Sequence, residues 1–138
     1  MKAPYKYTRT FITLSDGRFL VLLSNHGTAG RPVRVLHIPG ATILNNEIAL
    51  DTNIDLMKFT FGIVPLNVID LGVVDIRTSN TNQTYHFFKM QIVVKPNQRK
   101  LKQYESSFWT DRYGLENIRD RHNAGYSVGL IEGLNLFL

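Results

Sequence analysis

The chain has 138 residues, 43% hydrophobic and 20% charged, which is enough for one core and too few for two, so a single domain over 1–138 is expected. The absence of cysteine excludes disulfides, thiolate metal sites and cysteine nucleophiles. A formal net charge of +5 makes the surface attractive to anions, among them nucleotides, RNA and acidic proteins.

No stretch approaches the ~20 uninterrupted apolar residues of a membrane-spanning helix. The start, Met1-Lys2-Ala3-Pro4-Tyr5-Lys6, has no apolar run of signal-peptide type, so no membrane partner and a cytoplasmic location are expected.

Tyr7 to Leu14 and Arg18 to Leu23 are rich in β-branched, aromatic and aliphatic residues, and Ser15-Asp16-Gly17 between them supplies turn chemistry; together they predict a hairpin. After a loop from Asn25 to Gly30, Val33 to Ile38 predicts a third strand, closed by Pro39-Gly40. From Glu47 to about Phe61 the period changes. Leu50, Ile54, Met57 and Phe61 share one helical face and Glu47, Asp51, Asp55 and Lys58 another. Asn45 or Asn46 is expected to cap this helix and Gly62 to end it. Strands follow around Val68 to Arg77 and Thr84 to Val94, joined by a turn from Thr78 to Gln83. Ser107 to Trp109 reads as a short strand and Asp111 to Ile118 as a short helical turn. Tyr126 to Leu138 reads as a final amphipathic helix despite Gly129 and Gly133. The order predicts an α+β fold, with a mixed sheet sandwiched between helices (α/β/α).

Lys95 to Lys102 holds four positive charges and no acidic residue, and its first following aromatic is Tyr104. Two readings stand: a solvated loop, or an anion- or RNA-contacting strip through Lys95, Arg99, Lys100 and Lys102. Among His26, His37, His86 and His122 no pair has the helical i, i+4 spacing of a zinc site. His37 and His86 fall in strands, either as satisfied sheet histidines or as cavity-lining groups beside Arg9 or Arg34. Tyr85, Phe87, Phe88, Phe108 and Trp109 read as core, with stacking on a base as the alternative.

Ile38-Pro39-Gly40-Ala41, then Glu47, then Gly62-Ile63 hold a specific spacing. It resembles the Nudix hydrolase box, G-x5-E-x7-R-E-U-x-E-E-x-G-U, where U is aliphatic. Ala41 stands at the first glycine, Thr42 to Asn46 fill the first spacer, Glu47 matches the first glutamate, and Ile48 to Ile54 fill the second spacer. Then the chemistry fails. Asp55 replaces the arginine, Leu56 the first helical glutamate, Met57 the aliphatic residue, and Phe59 and Thr60 the glutamate pair, while Gly62 and Ile63 close the box in frame. Looser likeness extends through Asp16 to Leu23, Val68 to Gly72, Tyr85 to Phe88 and the Glu105-x-x-x-Trp109 step.

The resemblance implies a Nudix-like fold and, in active relatives, glutamates that hold a divalent metal at a pyrophosphate. Magnesium prefers a cluster of carboxylate oxygens, and cleavage needs metal to neutralise phosphate charge and acidify water. Leu56 and Phe59 bring no lone pair and Thr60 only a neutral hydroxyl, so no cofactor is expected. Glu47, Asp51 and Asp55 read more simply as charges favourable near a helix N-terminus.

Three functions stay open. The first is a pseudoenzyme binding a nucleotide-like small molecule through Arg9, Arg34, His37, His86 and Phe88. The second is a scaffold for RNA or a protein partner, through the basic segment or the apolar end of the final helix (Leu130, Leu134, Phe137, Leu138), including a homodimer. The third is an atypical Mg²⁺-dependent hydrolase of nucleoside diphosphate derivatives that uses Glu47, with Glu105 or Glu116.

Overall fold

The computed structural model describes residues 5–64, 67–77, 81–93, 95–96 and 98–138. The predicted turn residues Thr78, Ser79 and Asn80, with Val94 and Asn97, lie outside the described residues. No described helix is long and apolar enough to cross a membrane.

Strands β1 (Tyr5–Thr13) and β2 (Phe19–Asn25) form the predicted hairpin. The Leu14 amide donates to the Arg18 carbonyl at 2.8 Å, and Gly17 takes φ 91°, a left-handed value that glycine adopts without steric cost. β1 pairs with β2 only at Thr13 and Phe19. Beyond that point the strands diverge. β3 (Arg34–His37) follows the inner edge of β2, from Leu22 opposite His37 to Asn25 opposite Arg34. The chain then crosses at Pro39, whose carbonyl accepts the Thr10 amide at 2.8 Å, and β4 (Gly40–Thr42) runs antiparallel to Tyr7, Thr8 and Arg9 of β1. A wedge of chain thus sits in the opening of the hairpin. β4 is absent from the sequence prediction because Gly40-Ala41-Thr42 carries no strand pattern; the backbone of β1 recruits it.

The far edge of β1 pairs in parallel with β6 (Asn82–Gln91), which pairs antiparallel with β5 (Val68–Arg77); β7 (Ser106–Thr110) pairs with β2, and β8 (Gly125–Tyr126) runs parallel to β3. Among the described residues these strands make one mixed eight-stranded sheet.

Alternation along the strands feeds two cores. Phe11, Phe19, Val21, Leu23, Tyr85 and Phe87 face one side, where α2 (Arg112–His122) and α3 (Leu130–Phe137) cover them with Leu115, Leu130 and Leu134. Ile12, Leu20, Leu22 and Met90 face the other, under Met57 of the π-helical turn Leu56–Thr60 that continues α1 (Ala49–Asp55), and Phe61 just after it. Helices on both faces of a mixed sheet make this the predicted α+β sandwich.

The box helix differs from prediction in its start and its buried face. Its N-cap is Ile48, without a side-chain cap, and Asn46 lies in the preceding loop at φ 69°. Leu50, expected inside, is 43% exposed, while Asn53, Met57 and Phe61 are fully buried. Their spacing of four suits the wider π-helical turn, and the polar Asn53 escapes a hydrophobic pattern. Asn53 is held by the Thr10 hydroxyl, which donates to its side-chain oxygen. Gly62 ends the helix as expected, at φ 67°, with the Ile63 amide donating back to the Met57 carbonyl at 2.8 Å.

At the C-terminal end the predicted helical turn is a longer helix running to His122, capped by Asp111, whose carboxylate accepts the Gly114 amide at 2.7 Å. The last helix begins four residues later than expected, at Leu130, because Gly125 and Tyr126 join the sheet. Leu130 and Leu134 are buried against the sheet, so these two are not a free apolar surface.

Candidate ligand-binding cleft

Where the hairpin opens, β1, the end of β2, β3 and the turn before α3 enclose a cleft of about 240 Å³, lined by Arg9, Ser24, His26, His37, Gly40 and Ser127 among others. Arg9 enters from β1 on the side chain face of Tyr7. Its guanidinium carbon lies 5.3 Å from the Tyr7 ring centre and 4.9 Å from that of Tyr85, and these two rings stack at 5.3 Å. Register places them together, since Tyr7 is opposite Tyr85 across the β1–β6 ladder. Nη1 donates to the Thr8 carbonyl at 2.7 Å. Nε is buried with no acceptor, and among the described residues no carboxylate forms an ion pair with Arg9. Burial lowers its pKa, but a guanidinium stays charged. The ring faces attract it, by ~0.5–2 kcal/mol each at most, without neutralising it.

His37 lies beside this cation. One ring nitrogen, Nε2, is 2.7 Å from the Ser24 hydroxyl, and the ring meets Tyr104 edge-on at 5.7 Å. Burial pulls its pKa down to about 4; a backbone hydrogen bond at Ile38 opposes this, and the charges of Arg9 and His26 add to the lowering. At neutral pH the imidazole is therefore uncharged, able to donate at one nitrogen and accept at the other.

The single cavity predicted for Arg9, Arg34, His37 and His86 is divided. Arg34 holds Glu105, Nε to carboxylate at 2.8 Å, on the surface. His86 faces away from Arg9: it is opposite Thr8 in the ladder, one residue out of phase, and Nε2 meets Asp70 at 2.8 Å. Its ring stacks on Phe88 at 4.5 Å, and Phe88 is fully buried. Strand alternation separates His86 and Phe88 from Arg9, since residues an odd number apart point to opposite faces.

In the basic segment, Gln98–Leu101 forms a 3₁₀ turn anchored by buried Leu101. Lys95, Arg99 and Lys102 are exposed, and the Lys95 ammonium lies 5.7 Å from the Trp109 ring centre. The side chain of Lys100 is outside what is described.

The box positions do not fit a divalent metal. Glu47 is committed locally, accepting the Leu44 amide at 3.2 Å and the Thr52 hydroxyl at 3.1 Å. Leu56 packs at the margin of the second core, and Phe59 is 74% exposed to solvent. Among the described residues no three histidine, aspartate or glutamate side chains come together as a metal site.

Sequence reasoning missed Ser24, His26, Gly40 and Ser127. They come from three separate segments and meet only because β3 and β4 wedge the hairpin open, an event signalled in sequence by nothing stronger than Pro39-Gly40.

No protein-family model matches the sequence, and no curated protein matches it. Solved structures do match its fold. A NUDIX hydrolase from Nitrosomonas europaea superposes with a TM-score of 0.72 at 16% identity, over 98% of this chain and 88% of that one. The MutT protein of Methanosarcina mazei Go1 gives 0.62 at 17% identity, over 87% and 84%. The NUDIX domain of Shewanella oneidensis NrtR, crystallised with ADP ribose, gives 0.59 at 14% identity, over 85% and 79%. The chain has the Nudix fold.

Proposed function

We propose that this chain is a Nudix-fold binding domain that holds a nucleotide derivative in the Arg9–His37 cleft and does not hydrolyse it by a metal-dependent route. The observation that carries this reading is Arg9, a cation drawn into a cleft with no counter-ion among the described residues and one buried N–H unsatisfied. Burying a charge is costly unless it is paired, and a ligand anion would supply the pair. The ADP ribose held by the similar domain of NrtR supports the ligand class. Against turnover stand Leu56, Phe59 and Thr60 at the box positions, and a Glu47 whose two oxygens already hold the loop and helix start. The sequence-based set of contacts narrows here to Arg9 and His37, with Ser24, His26 and Ser127 added.

The test is thermal unfolding with ADP-ribose, NAD and ADP, with Mg²⁺ or EDTA, alongside phosphorus NMR of the same mixtures. A ligand at 100 times its Kd stabilises by about 2.7 kcal/mol, a shift of several degrees. We expect such a shift with at least one nucleotide, unchanged by EDTA, and intact ligand after prolonged incubation. Mg²⁺- or Mn²⁺-dependent turnover abolished by Glu47→Gln would overturn the non-catalytic half. No shift across the panel would overturn the binding half.

A further inference from the structure

We infer that the cleft takes its ligand anion-first: a terminal phosphate or similar compact anion enters beside Arg9, and any sugar or base stays at the mouth. This rests on the reading of the cleft as a ligand site and adds which end of the ligand goes in.

Three observations carry it. The first is size. Pockets that engulf a drug-sized ligand run to roughly 300–1,000 Å³, and this cleft is about 240 Å³. Open on one side, it can bury a fragment of a nucleotide while the rest of the ligand lies outside it. The second is that the aromatic faces which would attract a base are already in use. Tyr7 and Tyr85 stack on each other and carry the Arg9 guanidinium. Nor are Phe87 and Phe88 free, since both are fully buried. The third is the polarity of the lining. Arg9, Ser24, His26, His37 and Ser127 bring a fixed positive charge and hydrogen-bonding groups, and among the described residues no carboxylate lines the cleft. An uncharged ring entering here would leave the guanidinium unpaired and strip water from it. An anion supplies the missing countercharge and an acceptor together, and guanidinium forks match phosphate and carboxylate oxygens in bidentate geometry.

The test uses the full chain and three probes, ADP-ribose, ribose 5-phosphate and adenosine, each titrated calorimetrically, with inorganic phosphate as competitor against ADP-ribose. Ribose 5-phosphate is expected to bind at least tenfold more tightly than adenosine, and inorganic phosphate to displace ADP-ribose. Arg9→Gln is expected to weaken ADP-ribose at least tenfold and Arg9→Lys less. Adenosine binding as well as ribose 5-phosphate overturns the inference and leaves the nucleotide-binding reading intact. Should neither fragment bind measurably, the phosphate competition decides, and failure to displace bound ADP-ribose overturns it likewise. If Arg9→Gln does not fold, Arg9→Lys and the competition on the unaltered chain still decide. Absence of binding by all three probes and phosphate removes both readings.

Discussion

Gly40 and Arg9 share one space: a Cβ built on Gly40 collides with Nη1 of Arg9 and with the Thr8 carbonyl to which that nitrogen donates. The chain crosses from β3 to β4 here, so the backbone of one strand forms the floor on which the guanidinium of another lies. Gly40→Ala should push Arg9 off the Thr8 carbonyl and overfill the site, lowering stability by about 1–3 kcal/mol. It should also reduce the stabilisation given by ADP-ribose. Gly30→Ala, where a Cβ meets nothing within 4 Å, is the matched control and should stay within about 0.5 kcal/mol. Equal urea midpoints for the two variants would refute the shared space.

His37 makes stability depend on pH with a definite sign. Its folded pKa, about 4, lies below the ordinary 6.5, so the neutral ring is favoured by folding. Above pH 6.5 this costs nothing. As pH falls from 6.5 toward 4, the unfolded chain takes up a proton that the folded chain refuses, and stability declines. The loss attributable to this group at pH 5 is about 2 kcal/mol. His37→Gln keeps a polar partner near Ser24 and does not titrate. Urea unfolding at pH 7 and pH 5 should show the smaller decline in the variant; parallel declines would mean that His37 is solvated enough to titrate normally.

The strands were legible through their β-branched, aromatic and aliphatic runs bounded by turn chemistry. Their two faces were not, because β2 is apolar throughout: Phe11 and Val21 enter one core while Ile12, Leu20 and Leu22 enter the other. The box helix was legible in position and end, through Gly62, but not in its buried face, because the residue that turns inward ahead of Met57 is Asn53 and its partner is a threonine. The cleft was half legible. Arg9 and His37 stand out as charged or ionisable residues in apolar strands, yet nothing in the sequence tells that β1 and β2 part after Thr13, nor that His86 faces the opposite side from Arg9. Those are consequences of register, which long-range pairing sets.

Glu47 stands just ahead of α1, and its bonds predict a structural consequence. One oxygen accepts the Leu44 amide and the other the Thr52 hydroxyl, tying the loop to the first turn of α1. Glu47→Gln preserves the shape but halves the acceptor capacity, and should cost about 1 kcal/mol, as should Thr52→Ala. The double variant should cost less than the sum, because the two changes break one shared bond. Additive losses measured in urea would show that the Thr52 contact contributes nothing.

Gly133 on α3 tests the packing that closes the opposite face. A glycine inside a helix ordinarily costs about 1 kcal/mol relative to alanine, so Gly133→Ala would stabilise an isolated helix. In the folded chain the added Cβ would press into the ring of Phe87, with Cζ at 2.8 Å and Cε1 closer. Phe87 is fully buried and braced by Phe11 at 5.9 Å and Phe137 at 5.3 Å between ring centres, so yielding to the new Cβ requires these neighbours to shift as well. Overpacking of this kind costs about 1–3 kcal/mol, which exceeds the helical gain, and the net effect should be destabilising. Phe87→Leu removes the obstructing atoms and opens a cavity of its own, so it destabilises the wild-type background. Combined with Gly133→Ala, it should cost less than the sum of the two single changes, with a coupling of about 0.5–3 kcal/mol. A rise in urea midpoint on Gly133→Ala alone would mean that α3 moves away from the sheet without penalty.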